Sequence, residues 1–308
     1  MALLSVRLTE GGFWGRMMAT DLKQELHRLY ADASKHSTYQ SIPDFVSAKL
    51  GYSEVIDEGW RGDRPRLAYL LRHRTPQAGE HWGDFGANTG FFTLSLAKEY
   101  PQARFTAIEG NANHTGFIRR IVEHFALDNV QVIERAIGLN GLRELPDFDF
   151  LLHLNVLHHA GHDFDTDLVR DIDEFPDYAE RYLKLLDAKT EGLFFQMGSN
   201  LWGDKGHPLV AVRNDKEKLK LFSQWLRNSG WGIDKVAYAT RNHGDEVFYR
   251  DIFDFAGDEF VTTDSAIDET ITTKLRDLEL DQFPGEFYRR PLFLCRGNSI
   301  SVRNNAHD

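Results

Sequence analysis

The sequence predicts a doubly wound, mostly parallel α/β sheet preceded by a helical lobe, and three observations carry that expectation. From about residue 80 onward, short apolar segments alternate with amphipathic ones, the pattern of strand–helix–strand units. The segment 148–154, FDFLLHL, is nearly apolar on both faces, as a strand covered on both sides of a parallel sheet must be. Between the first strand and the helix after it lies a glycine turn, DFGANTG over 84–90, and such sheets bind ligands at turns of this kind.

The elements follow in order. Residues 20–34 put Leu22, Leu26, Leu29 and Ala33 on one helical face. A short helix opens near Ser41 and Pro43 and stops at Gly51. A third, 64–74, carries Leu67, Leu70 and Leu71 and ends before Pro76. Residues 1–76 therefore read as an N-terminal helical lobe or lid, and 77–308 as the sheet domain. In the latter, strands are expected at 104–109, 130–134, 148–154 and 193–197, after the one that leads into Asp84. Helices are expected at 91–100, 113–127, 166–186 with a break at Pro176, and 216–228. Two further strands, 235–240 and 291–296, close the sheet.

Composition narrows the function classes. The chain has 308 residues, 42% hydrophobic and 27% charged, enough for one large core with an added lobe. A net charge of −11 repels phosphate backbones and makes nucleic acid a poor partner. The single cysteine, Cys295, excludes an intrachain disulfide and multi-cysteine zinc sites and fits a reducing, cytoplasmic compartment. No apolar run approaches the roughly 20 residues of a membrane span, and no basic region precedes the apolar start. A monomer and a homo-oligomer both remain open.

The turn itself is informative. Gly86 and Gly90 let backbone approach a ligand with no Cβ in the way, and the helix beyond offers unpaired N–H groups. A dinucleotide fingerprint centred on Gly86 needs glycine at 84 and 89, where Asp84 and Thr89 stand. An acidic residue at the first strand end repels a pyrophosphate and suits a cationic ligand. Glu109, at the end of the second strand and followed by Gly110, can accept hydrogen bonds from both ribose hydroxyls.

These segments, with 129–138 (NVQVIERAIG), resemble the class I SAM-dependent methyltransferases, which are Rossmann-like, and the DFGANTGFF wording is similar to FkbM-type O-methyltransferases. The resemblance implies S-adenosyl-L-methionine (SAM) as cofactor. It implies Asp84 near the methionine moiety, Gly86, Asn88 and Gly90 along its backbone, Glu109 and Gly110 at the ribose, and Arg135 and Ala136 beside the adenine. Asn88 replaces a glycine common in that family, and asparagine tolerates left-handed backbone. The fourth strand departs from the FkbM pattern. Its Val156-Leu-His-His159 resembles small-molecule methyltransferases, tRNA wobble-uridine modifying relatives and modules that cap bacterial O-antigen chains. The segment 59–63 (GWRGD), with Arg66, is similar to the last group, in which a pre-sheet helix covers the cofactor. Tyr39, Tyr52 and Trp60 are the rings available for such a cover.

Leu154 and Asn155 end the fourth strand under the expected methyl position. His158 or His159 is the candidate base or acceptor-orienting donor, with Asp163 as partner. His158 and His162 could share a helical face as metal ligands, with Asp163 and Asp165 adding oxygens, but no HExxH pattern supports zinc and no metal is expected. Trp202, Asp204, Lys205 and His207 could shape an acceptor pocket, and the Arg289–Arg290 pair is either an anion holder or a solvated charged pair. The function implied is O-methylation of a small molecule or glycan. A tRNA-modifying transferase and a non-catalytic SAM-fold subunit are the competing readings.

Overall fold

The computed structural model describes residues 10–31, 40–52, 62–254, 265–283 and 285–298. Ala33, Tyr39 and residues 59–61 of the Gly-Trp-Arg segment lie outside them. Helices α1 (Glu10–Ala31), α2 (Asp44–Leu50) and α3 (Asp63–His73) precede the first strand. Then follow β1 (His81–Phe85), α4 (Phe91–Glu99), β2 (Arg104–Glu109), α5 (Ala112–Phe125), β3 (Val130–Glu134), α6 (Leu139–Leu142) and β4 (Phe148–Leu154). The remainder is α7 (Phe175–Asp187), β5 (Thr190–Gln196), α8 (Asp215–Asn228), β6 (Gly232–Arg241), β7 (Val247–Asp254), α9 (Ser265–Arg276) and β8 (Leu292–Arg296).

The strands form one sheet in the order β3-β2-β1-β4-β5-β8-β6-β7. β1 to β5 are mutually parallel, β8 runs antiparallel between β5 and β6, and β7 pairs antiparallel with β6 at the edge. The chain winds outward from β1 through β2 to β3, then returns to the other side of β1 for β4 and β5. With right-handed crossovers, this reversal sends α4 and α5 to one face and α7 and α8 to the other. It also opens a crevice at the carboxyl ends of β1 and β4.

Local sequence explains the elements that frame this crevice. In α5 the buried Phe117, Ile118 and Ile121 form one stripe, the Asn111 side chain caps the start by accepting from the Asn113 N–H at 2.9 Å, and Ala126 in a left-handed conformation ends it. The stripe packs with Leu22, Leu26, Ile42, Val46 and Leu50, so α1 and α2 share their core with α4 and α5. Tyr52 is buried against His27 and Tyr30 among these helices rather than over the crevice. α3 lies against β7, where the Tyr69 hydroxyl donates to Asp251.

Three sequence expectations need correction. The helix expected over 166–186 begins only at Phe175, and Pro176 sits in its first turn, where a missing N–H costs nothing, instead of interrupting it. The β7 strand and α9 were not anticipated. The Arg289–Arg290 pair is not solvated: Arg289 is buried, bonded to Asp215 and to the Leu280 carbonyl at 2.9 Å. Asp215 also holds the fully buried Lys218 at 2.7 Å, and Lys218 donates to the carbonyls of Val212 and Arg289. Burial pushes the Lys218 ammonium below its usual range, with the Asp215 charge opposing.

Asp215 thus contacts two buried cations, Lys218 on its own helix and Arg289 in the turn before β8, with Asp281 at 2.8 Å as a second carboxylate on Arg289. Removing one partner of a buried pair typically costs about 3–5 kcal/mol, because the other charge is left uncompensated. Asp215→Ala is expected to lower unfolding stability by that amount, read from the midpoint of urea denaturation.

Candidate functional site

The crevice begins at β1. Asp84 is buried and accepts a 2.7 Å hydrogen bond from the Thr93 hydroxyl on α4. Burial pushes its carboxyl from 3.8 up to about 7; the Thr93 bonds and the Arg66 charge pull it down, while Glu109 pushes it further up. Among the described residues no cation forms an ion pair with it. Gly86 (φ +65°), Asn88 (φ +49°) and Gly90 (φ +83°) carry the chain through the turn. A Cβ on Gly86 would lie 2.5 Å from Val156 Cγ2, so glycine lets the turn pack onto the segment that follows β4. The first N–H of α4 is not free: Phe91 donates to Gln40 Oε1 at 2.9 Å. The buried Thr89 hydroxyl has no partner among the described residues.

At the end of β2, Glu109 accepts from the backbone N–H groups of Asn88 and Asn111, both at 2.8 Å. The His114 ring stands 3.9 Å away, beyond hydrogen-bond distance. Burial disfavours the charge, but the neighbouring His114 and the two N–H groups outweigh it and hold the carboxyl below its usual range. Gly110 and Ala136 are exposed neighbours, and a Cβ on Gly110 would meet that of Ala136 at 3.2 Å. Arg135 turns its guanidinium outward to Glu144 at 2.6 Å, so only its backbone, bonded to the Glu109 carbonyl, borders the crevice.

The ends of β4 and β5 carry a polar network. Leu154 is half-buried, and Asn155 adopts φ +62°. The Asn155 side chain donates to Gln196 Oε1 at 3.2 Å and accepts from Arg290 Nη1 at 2.8 Å. Gln196 Oε1 also accepts from Arg66 Nη1 at 3.3 Å, and Arg66 pairs with buried Asp63 at 2.5 Å. Asp63 accepts from the Ser41 N–H at 2.6 Å. Arg290 contacts Glu286 at 3.2 Å, and Glu286 accepts from Ser199 and Asn200. The Phe287 ring lies between the two guanidiniums, 5.1 Å from Arg66 and 5.3 Å from Arg290. Sequence reasoning named Arg66 and Arg290 only in passing and missed Gln40, Gln196 and Glu286.

The two histidines separate. His158 is buried, and its Nδ1 accepts from the Gly198 N–H at 3.2 Å. Burial, then the charges of His159 and Arg290, hold its imidazole well below the ordinary histidine range, which does not suit a base near neutral pH. His159, its ring 4.3 Å away, is 30% exposed at the side chain, with Nδ1 3.2 Å from Asp163. Asp163 also contacts His162 at 2.8 Å. Trp202, at φ +59°, donates from Nε1 to the Ala160 carbonyl and lies tilted against the His207 ring, 4.8 Å between centroids, joining the loops after β4 and β5. Asp165 does not face this cluster. Its carboxylate accepts from the Leu139 N–H and the Tyr178 hydroxyl, both at 2.7 Å, as a latch between α6 and α7. Among the described residues no group of three or more His, Cys, Asp or Glu side chains is positioned to hold a metal ion.

No protein-family model and no curated protein matches the chain. Among solved structures it is similar to a putative sarcosine dimethylglycine methyltransferase from Galdieria sulphuraria, at 10% identity and a TM-score of 0.47 over 91% of this chain and 99% of that one. It is also similar to a precorrin-6y C5,15-methyltransferase from Geobacter metallireducens GS-15, at 18% identity and a TM-score of 0.40 over 65% and 89% of the two chains. A SAM-dependent methyltransferase from Aquifex aeolicus gives 18% identity and a TM-score of 0.38 over 61% and 89%. The likeness is in the fold, a mostly parallel sheet flanked by helices.

Proposed function

We propose that this chain is a SAM-dependent methyltransferase that methylates a hydroxyl of a small molecule or glycan. The reading rests above all on the pair Asp84 and Glu109, two carboxylates at the ends of adjacent strands beside a glycine turn, at the point where strand order reverses. Their environments suit a cationic nucleoside. Asp84 is a buried acid with no ion-paired cation among the described residues, and the orphaned Thr89 hydroxyl lies in the same turn. Glu109 is ionised and has lone pairs left after its two backbone bonds for the ribose hydroxyls. Gly110 and Ala136 would border the adenine, and Leu154 and Asn155 the reacting end.

Bound SAM supplies a methyl group already activated on a sulfonium sulfur. What remains for the protein is alignment, worth roughly 7–11 kcal/mol, and removal of the hydroxyl proton, worth about 10²–10⁴ in rate. His159 is the base in this reading: its half-exposed ring stands at the mouth of the crevice with Asp163 3.2 Å from Nδ1, leaving Nε2 to take the proton.

Three outcomes are expected. Glu109→Ala should weaken SAM binding by about 1.5–3 kcal/mol, the value of hydrogen bonds to a charged group, with NADP silent in the same calorimetric titration. NADP binding in place of SAM would overturn the reading.

The second outcome concerns pH. A cationic ligand binds the ionised form of Asp84, whose carboxyl titrates near about 7, so SAM affinity should rise with pH up to about 7 and level off above it. Folding responds in the opposite sense. The unfolded chain releases this proton near 3.8 and the folded chain near 7, so stability is lost as pH climbs between those values. Asp84→Asn should therefore raise the urea midpoint at pH 8 while weakening SAM binding and flattening its pH dependence. Equal urea midpoints for both proteins at pH 8 would contradict the assignment.

The third outcome separates the histidines. His159→Ala should retain SAM affinity and lose about 10²–10⁴ in turnover. Full turnover in His159→Ala at saturating SAM and acceptor would remove it from the chemistry.

A further inference from the structure

Arg290 reaches the crevice from the C-terminal turn between Phe287 and β8. Its Nε contacts Glu286 and its Nη1 donates to Asn155 Oδ1, while Nη2 has no hydrogen-bond partner among the described residues. The Glu286 carboxylate is shared: it accepts from the Ser199 N–H at 2.7 Å, the Ser199 hydroxyl at 2.8 Å and Asn200 Nδ2 at 3.0 Å. Arg290 Nη2 makes no hydrogen bond to that carboxylate. The plane is fixed by the Phe287 ring under it, so the free edge has one direction.

That direction is toward Gly198. A Cβ built on Gly198 would lie 3.1 Å from Arg290 Nη2 and 2.8 Å from His158 Nε2. Two nitrogens thus converge on one bare Cα, packed so close to it, with the His158 Cδ2 at 2.8 Å, that any larger residue there would clash with them. Both are donors. Because the Gly198 N–H donates to His158 Nδ1, the neutral ring carries its proton on Nε2. Burial and the adjacent Arg290 charge keep the ring neutral, so it gives a hydrogen bond without serving as a base. A guanidinium edge and an imidazole N–H with no acceptor between them select an oxyanion over a cation.

We propose that Arg290 Nη2 and His158 Nε2–H form a cradle over Gly198 for a carboxylate or phosphate group of the acceptor, which makes the acceptor a small acid. The inference rests on the methyltransferase reading for the word acceptor alone. The cradle's location favours the acceptor over the cofactor's own carboxylate. Asp84 lies one residue before the end of β1, and Gly198 follows β5, two strands along the sheet or roughly 10 Å away. Asn155, bonded to Arg290, ends the strand between them, and His159 adjoins His158. An acid held here presents its hydroxyl beside the proposed base.

The test titrates the full-length protein, saturated with S-adenosylhomocysteine, with inorganic phosphate and with benzoate at constant ionic strength, following NMR chemical shifts. Arg290→Gln should weaken both anions roughly 10- to 100-fold, as for loss of charge-assisted hydrogen bonds, and leave the nucleoside affinity unchanged. Arg290→Lys should retain part of the binding. Glu286→Gln should tighten the anions several-fold by removing the competing charge; Asn200 Oδ1, buried with no partner among the described residues, can accept from the new amide once the Asn200 amide turns over. A purely structural Arg290 predicts no gain in Glu286→Gln. Anion binding unaltered in Arg290→Gln would overturn the cradle, and a loss of nucleoside affinity there would assign Arg290 to the cofactor instead. If the wild type binds no nucleoside, the methyltransferase reading fails, and the same titration of the free protein still decides whether the anion site exists.

Discussion

The carboxyl edge of this sheet depends on one buried amide. Gln196, the last residue of β5, is fully enclosed, yet its Oε1 accepts from Arg66 and Asn155 and its Nε2 donates to the Arg290 carbonyl at 3.2 Å and reaches the Tyr249 hydroxyl at 3.4 Å. These partners come from α3, the end of β4, the C-terminal turn and β7. A polar group buried without partners costs about 1–3 kcal/mol, so the amide is stable only where all four segments meet. The crevice is thereby closed on the side of β5 by segments far apart in the chain. The Asp63–Arg66 pair extends the network to Ser41, which fixes the entry of α2, and Gln40 beside it caps α4. The N-terminal helices are thus joined to the crevice by hydrogen bonds as well as by their shared core.

The two carboxylates across the crevice show how position sets chemistry. Asp84 and Glu109 are both largely buried, and burial pushes both toward the neutral form. Glu109 ends its strand where the chain turns, so the neighbouring His114 and two backbone N–H groups that point at its oxygens restore the charge. Asp84 lies one residue inside β1, where its own backbone is committed to the sheet and Thr93 on α4 supplies the hydrogen bonds that partly offset burial. One acid is held ready as an acceptor of hydrogen bonds, the other near its ionisation point. A chain with net charge −11 consequently concentrates two guanidiniums and a tunable acid at one edge. The field felt by a ligand there is local, and the global charge is a poor guide to it.

What was legible in the sequence is what depends on neighbours along the chain. The glycine turn, the acid at the end of β2 and the apolar β4 all declare themselves within a few residues, because turn geometry and sheet burial constrain consecutive positions. Pro176 misled because one residue type both breaks helices and begins them, and only the location of the first turn tells which. β7 was overlooked although its signal exists: Asn242 accepts from the N–H groups of Gly244 and Glu246, a turn between two alternating segments. Gln196 and Glu286 were beyond reach. Arg66 and Gln196 are 130 residues apart, and no spacing rule announces that a glutamine at a strand end will gather four segments.

The adjacent histidines carry this limit furthest. His158 and His159 are indistinguishable by composition, and both follow β4 at the mouth of the crevice. The single turn Leu157–His159 points one ring inward and leaves the other half out. Depth then does the rest. The inner ring loses its proton affinity to burial and to Arg290 and is fixed in one tautomer by the Gly198 N–H. The outer ring is half-exposed and has Asp163 3.2 Å from its Nδ1. A buried hydrogen-bond donor and a half-exposed ring are therefore produced from the same side chain in consecutive positions. The difference lies in which backbone N–H and which carboxylate the surrounding loops bring to each.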